Sequence, residues 1–371
     1  MKYYIIAGEA SGDLHGSNLI KELHKIDSTA AIRCWGGDKM EAAGATLVKH
    51  YRDLAFMGFI EVAKNLPTIF RNLAACKKDI LSFKPDALIL VDYPGFNLRI
   101  AEWARKEGLK VIYYISPQVW AWKENRVKKI KRDVDKMLVI LPFEKDFYKK
   151  WDFEVEYVGH PLVEVINEFK IHNLHLKVPG ESPVIALLPG SRRQEILIKL
   201  PIMLQVAAYF PGYKFVVAKA PGLPSEFYDE LLKPYHNVSS VADKTYELLN
   251  NAVAALVTSG TATLETALFA VPEIICYKGS SISYQIAKRL ISIKFIGLVN
   301  LIMDKEVVKE LIQDELTVRN IVTELKKLLE DPARQSVLKR DYAGLKDLLS
   351  KGGRASANAA GIIYRFLNNK T

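Results

Sequence analysis

Three stretches of this chain hold residue types suited to chemistry on phosphates and sugars. The first is Pro189-Gly190-Ser191-Arg192-Arg193-Gln194-Glu195, directly after the apolar run Val184-Ile-Ala-Leu-Leu188. Such a run, stopped by Pro-Gly, reads as a strand buried on both faces and followed by a helix that Ser191 caps. A helix starting just past a strand end points its free N–H groups and positive dipole end at the crevice beyond the sheet. With Arg192 and Arg193 there, the place suits a diphosphate. The plain alternative is an ordinary strand-to-helix turn with solvated arginines.

The second stretch, Thr258-Ser259-Gly260-Thr261-Ala262-Thr263-Leu264-Glu265, follows the apolar run 253–257. It reads as a second helix start beyond a strand, with small hydroxyl residues that let phosphate approach the backbone. The third set is acidic. Asp92 ends the run Pro85–Val91, and Glu9 lies in Gly8-Glu9-Ala10-Ser11-Gly12-Asp13-Leu14-His15-Gly16 after residues 3–7. A carboxylate at a strand's carboxyl end in an α/β sheet is placed to act as a general base. Asp92 is the first candidate and Glu9 the reserve; for Asp92, helix capping is the competing role. Ser11 suits a hydrogen bond to a polyol, although Ser11 or Asp13 equally suits capping the helix that runs to about residue 26. Glycines 8, 12 and 16 fit neither the dinucleotide fingerprint nor a phosphate loop.

These residues need a scaffold. Strand runs at 3–7, 85–91, 111–115, 137–141, 184–188, 213–218, 238–241, 253–257 and 273–277 alternate with helical patterns, the mark of α/β folds with parallel sheets. At 371 residues the chain is long enough for about two domains. Asn, His, Lys, Pro and Gly accumulate at 166–183, where the linker is placed. Thr245 and Thr317 are read as helix caps, and residues 317–330 show one apolar helical face. The His172/His175 pair has no third ligand in view. Asp133-Val-Asp135 sits between a lysine-rich helix and a strand, and reads as solvated helix-terminal charge rather than a metal motif.

Composition limits the partners. The formal charge of +10 calls for an anion: nucleic acid, phospholipid or a phosphorylated substrate. Trp120, Trp122, Lys123, Arg126, Lys128, Lys129, Lys131 and Arg132 combine aromatics with cations. That pattern suits an anionic membrane surface, single-stranded nucleic acid or simply a solvated face. Residues 56–75 are rich in large apolar groups around Gly58 and Pro67, as in a broken helix on the core or a lipid-facing surface. No run approaches the ~20 apolar residues of a spanning helix. Three scattered cysteines without Cys-x-x-Cys fit a reducing compartment. A cytoplasmic-side protein is expected.

The motifs GEASGDLHG, MGFIEV, DYPGFN, ISPQVWAWKENRVKKI, LPFEK, VGHPLVE, LLPGSRRQEI, SGTATLE and FIGLVNLI, in this order, resemble lipid-A-disaccharide synthases from residue 5 to about residue 316. The resemblance implies a metal-independent, inverting glycosyltransferase of the GT-B fold, with no cofactor. It implies two Rossmann-like domains facing a cleft, 1–165 with 340–371 for acceptor and membrane, and 166–339 for the UDP-sugar. The last helices would cross back to the first domain.

It further implies transfer from UDP-2,3-diacylglucosamine to 2,3-diacylglucosamine 1-phosphate, with UDP released, on the inner face of a Gram-negative inner membrane. No nucleic acid is expected. Ser191, Arg192, Ser259, Gly260 and Thr261 are then expected at the diphosphate, Glu265 at the ribose, Asn300 and Gln118 at substrate, and backbone near Val241–Lys244 at uracil. The family often carries an acidic residue where Gly95 stands here, which leaves Asp92 as the unambiguous carboxylate of its motif. The alternatives are a UDP-sugar 2-epimerase of the same layout and a nucleic-acid-binding protein.

Overall fold

The apolar runs become the central strands of two parallel sheets. The computed structural model describes residues 1–54, 66–121, 124–172, 182–220, 223–279 and 294–368. The first sheet holds β1 (Lys2–Ala7), β2 (Ala31–Gly36), β3 (Thr46–His50), β4 (Ala87–Val91), β5 (Val111–Tyr114), β6 (Lys136–Val139) and β7 (Glu156–Tyr157), in the order β3-β2-β1-β4-β5-β6-β7. The second holds β8 (Val184–Leu188), β9 (Lys214–Lys219), β10 (Val238–Ala242), β11 (Ala252–Thr258), β12 (Glu273–Tyr277) and β13 (Lys309–Ile312), in the order β10-β9-β8-β11-β12-β13.

Alternation explains the layering. Along β1, Tyr3, Ile5 and Ala7 join one apolar cluster and Tyr4 and Ile6 another, so both faces of the sheet are covered. Contacts divide the chain into two compact units, Met1–Pro161 with Leu349–Thr371, and Leu162–Leu348. Helix Ala355–Asn368 returns to the first unit and packs on helix Ala10–Ile26. Asn358 Nδ2 donates to the Val158 carbonyl at 3.0 Å, and Arg354 pairs with Glu22 at 3.1 Å. Gly352 packs so closely on Gly159 that a side chain there would overlap the backbone.

The strand order reverses between β1 and β4 in the first sheet, and between β8 and β11 in the second. Loops leaving such neighbouring strands diverge to opposite faces and open a crevice at the carboxyl ends, where ligands bind in open α/β sheets. Glu9 and Asp92 follow the first pair, and the Gly190 and Gly260 turns follow the second. The topology places every one of these stretches at a switch point.

Several local expectations need correction. Helix Ala10–Ile26 starts after Glu9 with no side-chain cap, so neither Ser11 nor Asp13 caps it. Asp13 instead accepts the N–H groups of Gly37, Lys39 and Met40 and so caps the next helix, Asp38–Ala42. The residue before helix Arg193–Gln205 is Arg192, not Ser191, and Lys244, not Thr245, precedes helix Thr245–Asn251. Thr317 does cap helix Val318–Glu330, accepting from Asn320 N. Residues 166–172, placed in the linker, belong to helix Pro161–His172, and 173–181, with His175, lie outside the described residues. Pro67 falls in the first turn of helix Leu66–Phe83, where proline is tolerated; the rest of the apolar stretch before it, Gly58 included, lies outside the described residues.

Candidate active site

In the first unit, β1 and β4 pair in register up to Ala7 and Val91. Asp92 directly follows β4, and Glu9 lies two residues past β1. Asp92 and Tyr93 both adopt left-handed backbone, with φ of 43° and 51°. Each such non-glycine residue costs roughly 1 kcal/mol, so the surroundings must hold the elbow. They do so through the Asp92 carbonyl, which accepts from Asn97 Nδ2 at 2.7 Å and from the Tyr113 hydroxyl at 2.6 Å. Asn97 and Tyr113 are both fully buried. The Tyr93 ring lies over Gly8, where any side chain would collide with it.

The elbow holds the Asp92 carboxyl near Glu9, half-buried. Burial first, then the Glu9 charge, push the Asp92 acid up to about 7. A carboxyl that titrates near neutrality is matched to accepting a proton from a sugar hydroxyl. Ser11 is exposed on the first turn of the helix that Glu9 begins, and Gln118 is exposed after β5.

In the second unit the two loops at the switch point adjoin. Leu188 pairs with Val257, and a β-carbon at Gly190 would stand 3.6 Å from Thr258 Cγ2. Gly190 and Gly260 have φ of 115° and 147°, conformations that L side chains rarely adopt. Ser191, Arg192, Gly260 and Thr261 are exposed, as an incoming anion requires. Arg193 lies over the Phe227 ring, 5.2 Å from its centroid, whereas Arg192 stands beside Glu195 at the turn, Nη1 to Oε1 3.3 Å. Ser259 Oγ donates to the Ile296 carbonyl at 3.0 Å.

Glu265 accepts from the Tyr246 hydroxyl at 2.9 Å. Tyr246 lies against Phe169 and Phe269, with ring centroids 5.5 and 5.3 Å away. Burial raises the Glu265 acid, while the Tyr246 bond opposes that rise.

Asn300 stands on helix Leu298–Met303. It is fully buried, and its amide is filled: Nδ2 donates to Val308 O and Glu310 Oε1, and Oδ1 accepts from Val307 N and Val308 N. Glu310 in turn accepts from Ile296 N and Gly297 N. Asn300 and Glu310 together therefore fix the segment whose Ile296 carbonyl accepts from Ser259. Sequence reading had no means to see Glu310, Tyr246, Asn97 or Tyr113, because only the fold brings them to the sites.

The basic run is also more engaged than its sequence suggests. Lys131 Nζ donates to the Trp151 carbonyl at 3.0 Å, and Arg132 pairs with Asp133 at 2.6 Å and with Glu102 at 3.5 Å. Asp133 is thus buried and paired, not solvated, and Asp135 pairs with Arg105 at 2.7 Å. Trp120 packs edge-on against Phe143 at 5.0 Å, and Arg126 is half-buried. Lys128 and Lys129 are exposed; Trp122 and Lys123 lie outside the described residues. Among the described residues no acidic, His or Cys group forms a metal cluster, and no helix is long and apolar enough to cross a membrane.

A family described as Lipid-A-disaccharide synthetase matches residues 3–362. The chain belongs to this family. It is 40% identical over 374 residues to a lipid-A-disaccharide synthase of Geobacter metallireducens, covering 99% of this chain and 97% of the relative. A lipid-A-disaccharide synthase of Coxiella burnetii is 35% identical over 98% of both chains. Among solved structures, the UDP-GlcNAc 2-epimerase of Neisseria meningitidis bound to UDP-GlcNAc superposes with a TM-score of 0.68 at 14% identity over the whole of both chains. A glycosyltransferase of kitacinnamycin gives 0.68 at 15% identity over 99% of both. At such identities the structures speak for the fold alone, two Rossmann-like units of the GT-B kind. The sequence relatives place the chain with the lipid-A-disaccharide synthetases, which are glycosyltransferases, and not with the epimerases or nucleic-acid binders.

Proposed function

We propose that the chain transfers the sugar of UDP-2,3-diacylglucosamine to the 6-hydroxyl of 2,3-diacylglucosamine 1-phosphate, giving the β(1→6) disaccharide 1-phosphate of lipid A and UDP. The observation that carries the reading is the Asp92 carboxyl, set on a left-handed elbow at the switch point of the first sheet, beside Glu9. The acceptor hydroxyl attacks the anomeric carbon and gives its proton to Asp92 while the bond to the UDP oxygen breaks. Glu9 stands behind Asp92 and keeps its proton affinity high.

Charge grows on the departing diphosphate. The turns at Ser191 and at Ser259-Gly260-Thr261, with Arg192, supply donors and a cation to it, which stabilises the transition state more than the ground state. Glu265 takes the ribose hydroxyls and backbone near Val241–Lys244 the uracil. The first unit serves the acceptor, with Ser11 and Gln118 at its sugar; the second serves the donor. Lys128 and Lys129 face anionic lipid, so the enzyme works at the inner surface of the membrane that holds its acylated substrates. The deciding experiment is turnover of the purified protein with both acylated glucosamine substrates, followed by UDP release and disaccharide mass. Release of UDP without disaccharide, or conversion of the UDP-sugar to an epimer, refutes the reading.

A further inference from the structure

Glu195, on the first turn of helix Arg193–Gln205, divides its carboxylate between two cations. Oε1 lies 3.3 Å from Arg192 Nη1, and Oε2 lies 3.8 Å from Lys199 Nζ. Lys199 is only 2% exposed. An ammonium so buried is costly unless an anion compensates it. The carboxylate also lies against the turn itself: Glu195 Oε2 stands 2.8 Å from the point a β-carbon on Gly190 would occupy. An anion carried by the protein therefore sits against the loop assigned to an anion of the ligand.

We infer that Glu195 is a stand-in for the donor diphosphate, holding Arg192 and Lys199 in the empty site and yielding them when diphosphate arrives. The inference rests on the donor-site reading above. A diphosphate brings more charge and more acceptor oxygens than one carboxylate, and so wins both cations. The displaced carboxylate remains next to the bound diphosphate and repels it. Glu195 thus preserves the geometry of the cations between turnovers and limits how tightly the product UDP is held. Lys199 fits this exchange: burial and Arg192 lower its proton affinity, and Glu195 opposes that fall.

The test is calorimetric titration of the full-length protein and of Glu195→Gln with inorganic pyrophosphate, UDP and uridine, at low and high salt, with melting curves alongside. Glu195→Gln should bind pyrophosphate and UDP at least about fivefold more tightly at low salt, the equivalent of one ion pair no longer competing. Uridine affinity should stay unchanged. The empty variant should melt lower than wild type, and UDP should raise its melting temperature by more. Pyrophosphate affinity that is unchanged or weaker in the variant overturns the inference. If Glu195→Gln does not fold, Glu195→Asp, one methylene shorter, must bind pyrophosphate more tightly than wild type; wild-type affinity there overturns it as well. Should wild type bind UDP neither with nor without salt, the donor-site reading itself falls, and the inference with it.

Discussion

Glu9 and Asp92 leave the paired ends of β1 and β4 as two like charges, and the first raises the proton affinity of the second. Because burial and the Glu9 charge push the Asp92 acid up to about 7, kcat/KM should climb as pH rises from 5 to 8, with its midpoint near 7. Glu9→Gln removes the like charge, so that midpoint should move to lower pH while most activity at pH 8 survives. The measurement is a pH–rate profile of both proteins. If Glu9→Gln instead abolishes turnover at every pH, Glu9 is the base.

Replacing Asp92 separates catalysis from folding. Asp92→Asn keeps the shape of the elbow and removes the base, so turnover should fall by ~10²–10⁴-fold, with UDP affinity near wild type. The linkage sign runs the other way for stability. The folded acid binds its proton more tightly than the unfolded one, so ionising Asp92 weakens the fold as pH rises from the ordinary carboxyl range, about 4, to about 7. Asp92→Asn should therefore melt higher than wild type at pH 8 and show little difference at pH 4. A lower melting temperature at pH 8 contradicts the assignment.

Tyr113 holds the Asp92 carbonyl without touching a substrate, so its removal should loosen the elbow. Tyr113→Phe deletes one hydrogen bond to a buried carbonyl, a change of about 1 kcal/mol in stability. Its specific signature lies in the kinetics: kcat should fall several-fold with the KM for donor unchanged, and the pH midpoint should drift from that of wild type. A stability loss with kcat and midpoint unmoved would leave Tyr113 a core residue only.

The legible part of this protein was its buried strands and its turns. Val184–Leu188 and Ala87–Val91 are continuous apolar runs closed by Pro-Gly or Asp, and such runs have few other solutions. β2, β3, β13 and the two-residue β7 escaped notice. Ala31–Gly36 carries Arg33 in its middle, Thr46–His50 is a half-exposed edge, and Lys309–Ile312 is a four-residue edge with Glu310 turned inward. Caps were misplaced for a related reason. A serine, threonine or aspartate near a helix start signals a cap, but only tertiary structure decides which helix receives it, and Asp13 serves the neighbour. Asn300 stood out by its motif, but its bonds to Val307, Val308 and Glu310 become visible only in the fold.

At the nucleotide site, Glu265 and its tyrosine should act as a pair. Glu265→Ala should weaken UDP by roughly tenfold, about what one charge-assisted hydrogen bond contributes, while inorganic pyrophosphate is held as before. Equal losses for both ligands would remove Glu265 from the ribose. Tyr246→Phe takes away the bond that opposes the raised Glu265 acid. UDP binding by this variant should then begin to fail at a higher pH than in wild type as the solution is acidified. Binding curves for the two proteins that overlay across pH would show that Tyr246 only packs.

Membrane attachment should depend on fewer charges than the sequence displays. Lys131 and Arg132 are occupied at the first unit's own surface, by the Trp151 carbonyl and by Asp133 and Glu102. Lys128 and Lys129 are exposed on helix Val127–Asp133, as are Lys131 and Arg132, and no acidic partner engages the first two among the described residues. Each cation near an anionic surface contributes about 1 kcal/mol, and salt screens most of it within a Debye length of ~10 Å at 0.1 M. Two charges therefore account for about 2 kcal/mol, or roughly thirtyfold in partitioning. Lys128→Glu with Lys129→Glu should release the protein from vesicles rich in anionic lipid at low salt, leaving UDP affinity as it was. Lys131→Ala removes one exposed charge whose partner is only a neutral carbonyl, so it should weaken flotation, but by less than the double reversal. If the double reversal floats like wild type, this helix is a solvated face, and attachment must come from apolar contact that salt does not weaken.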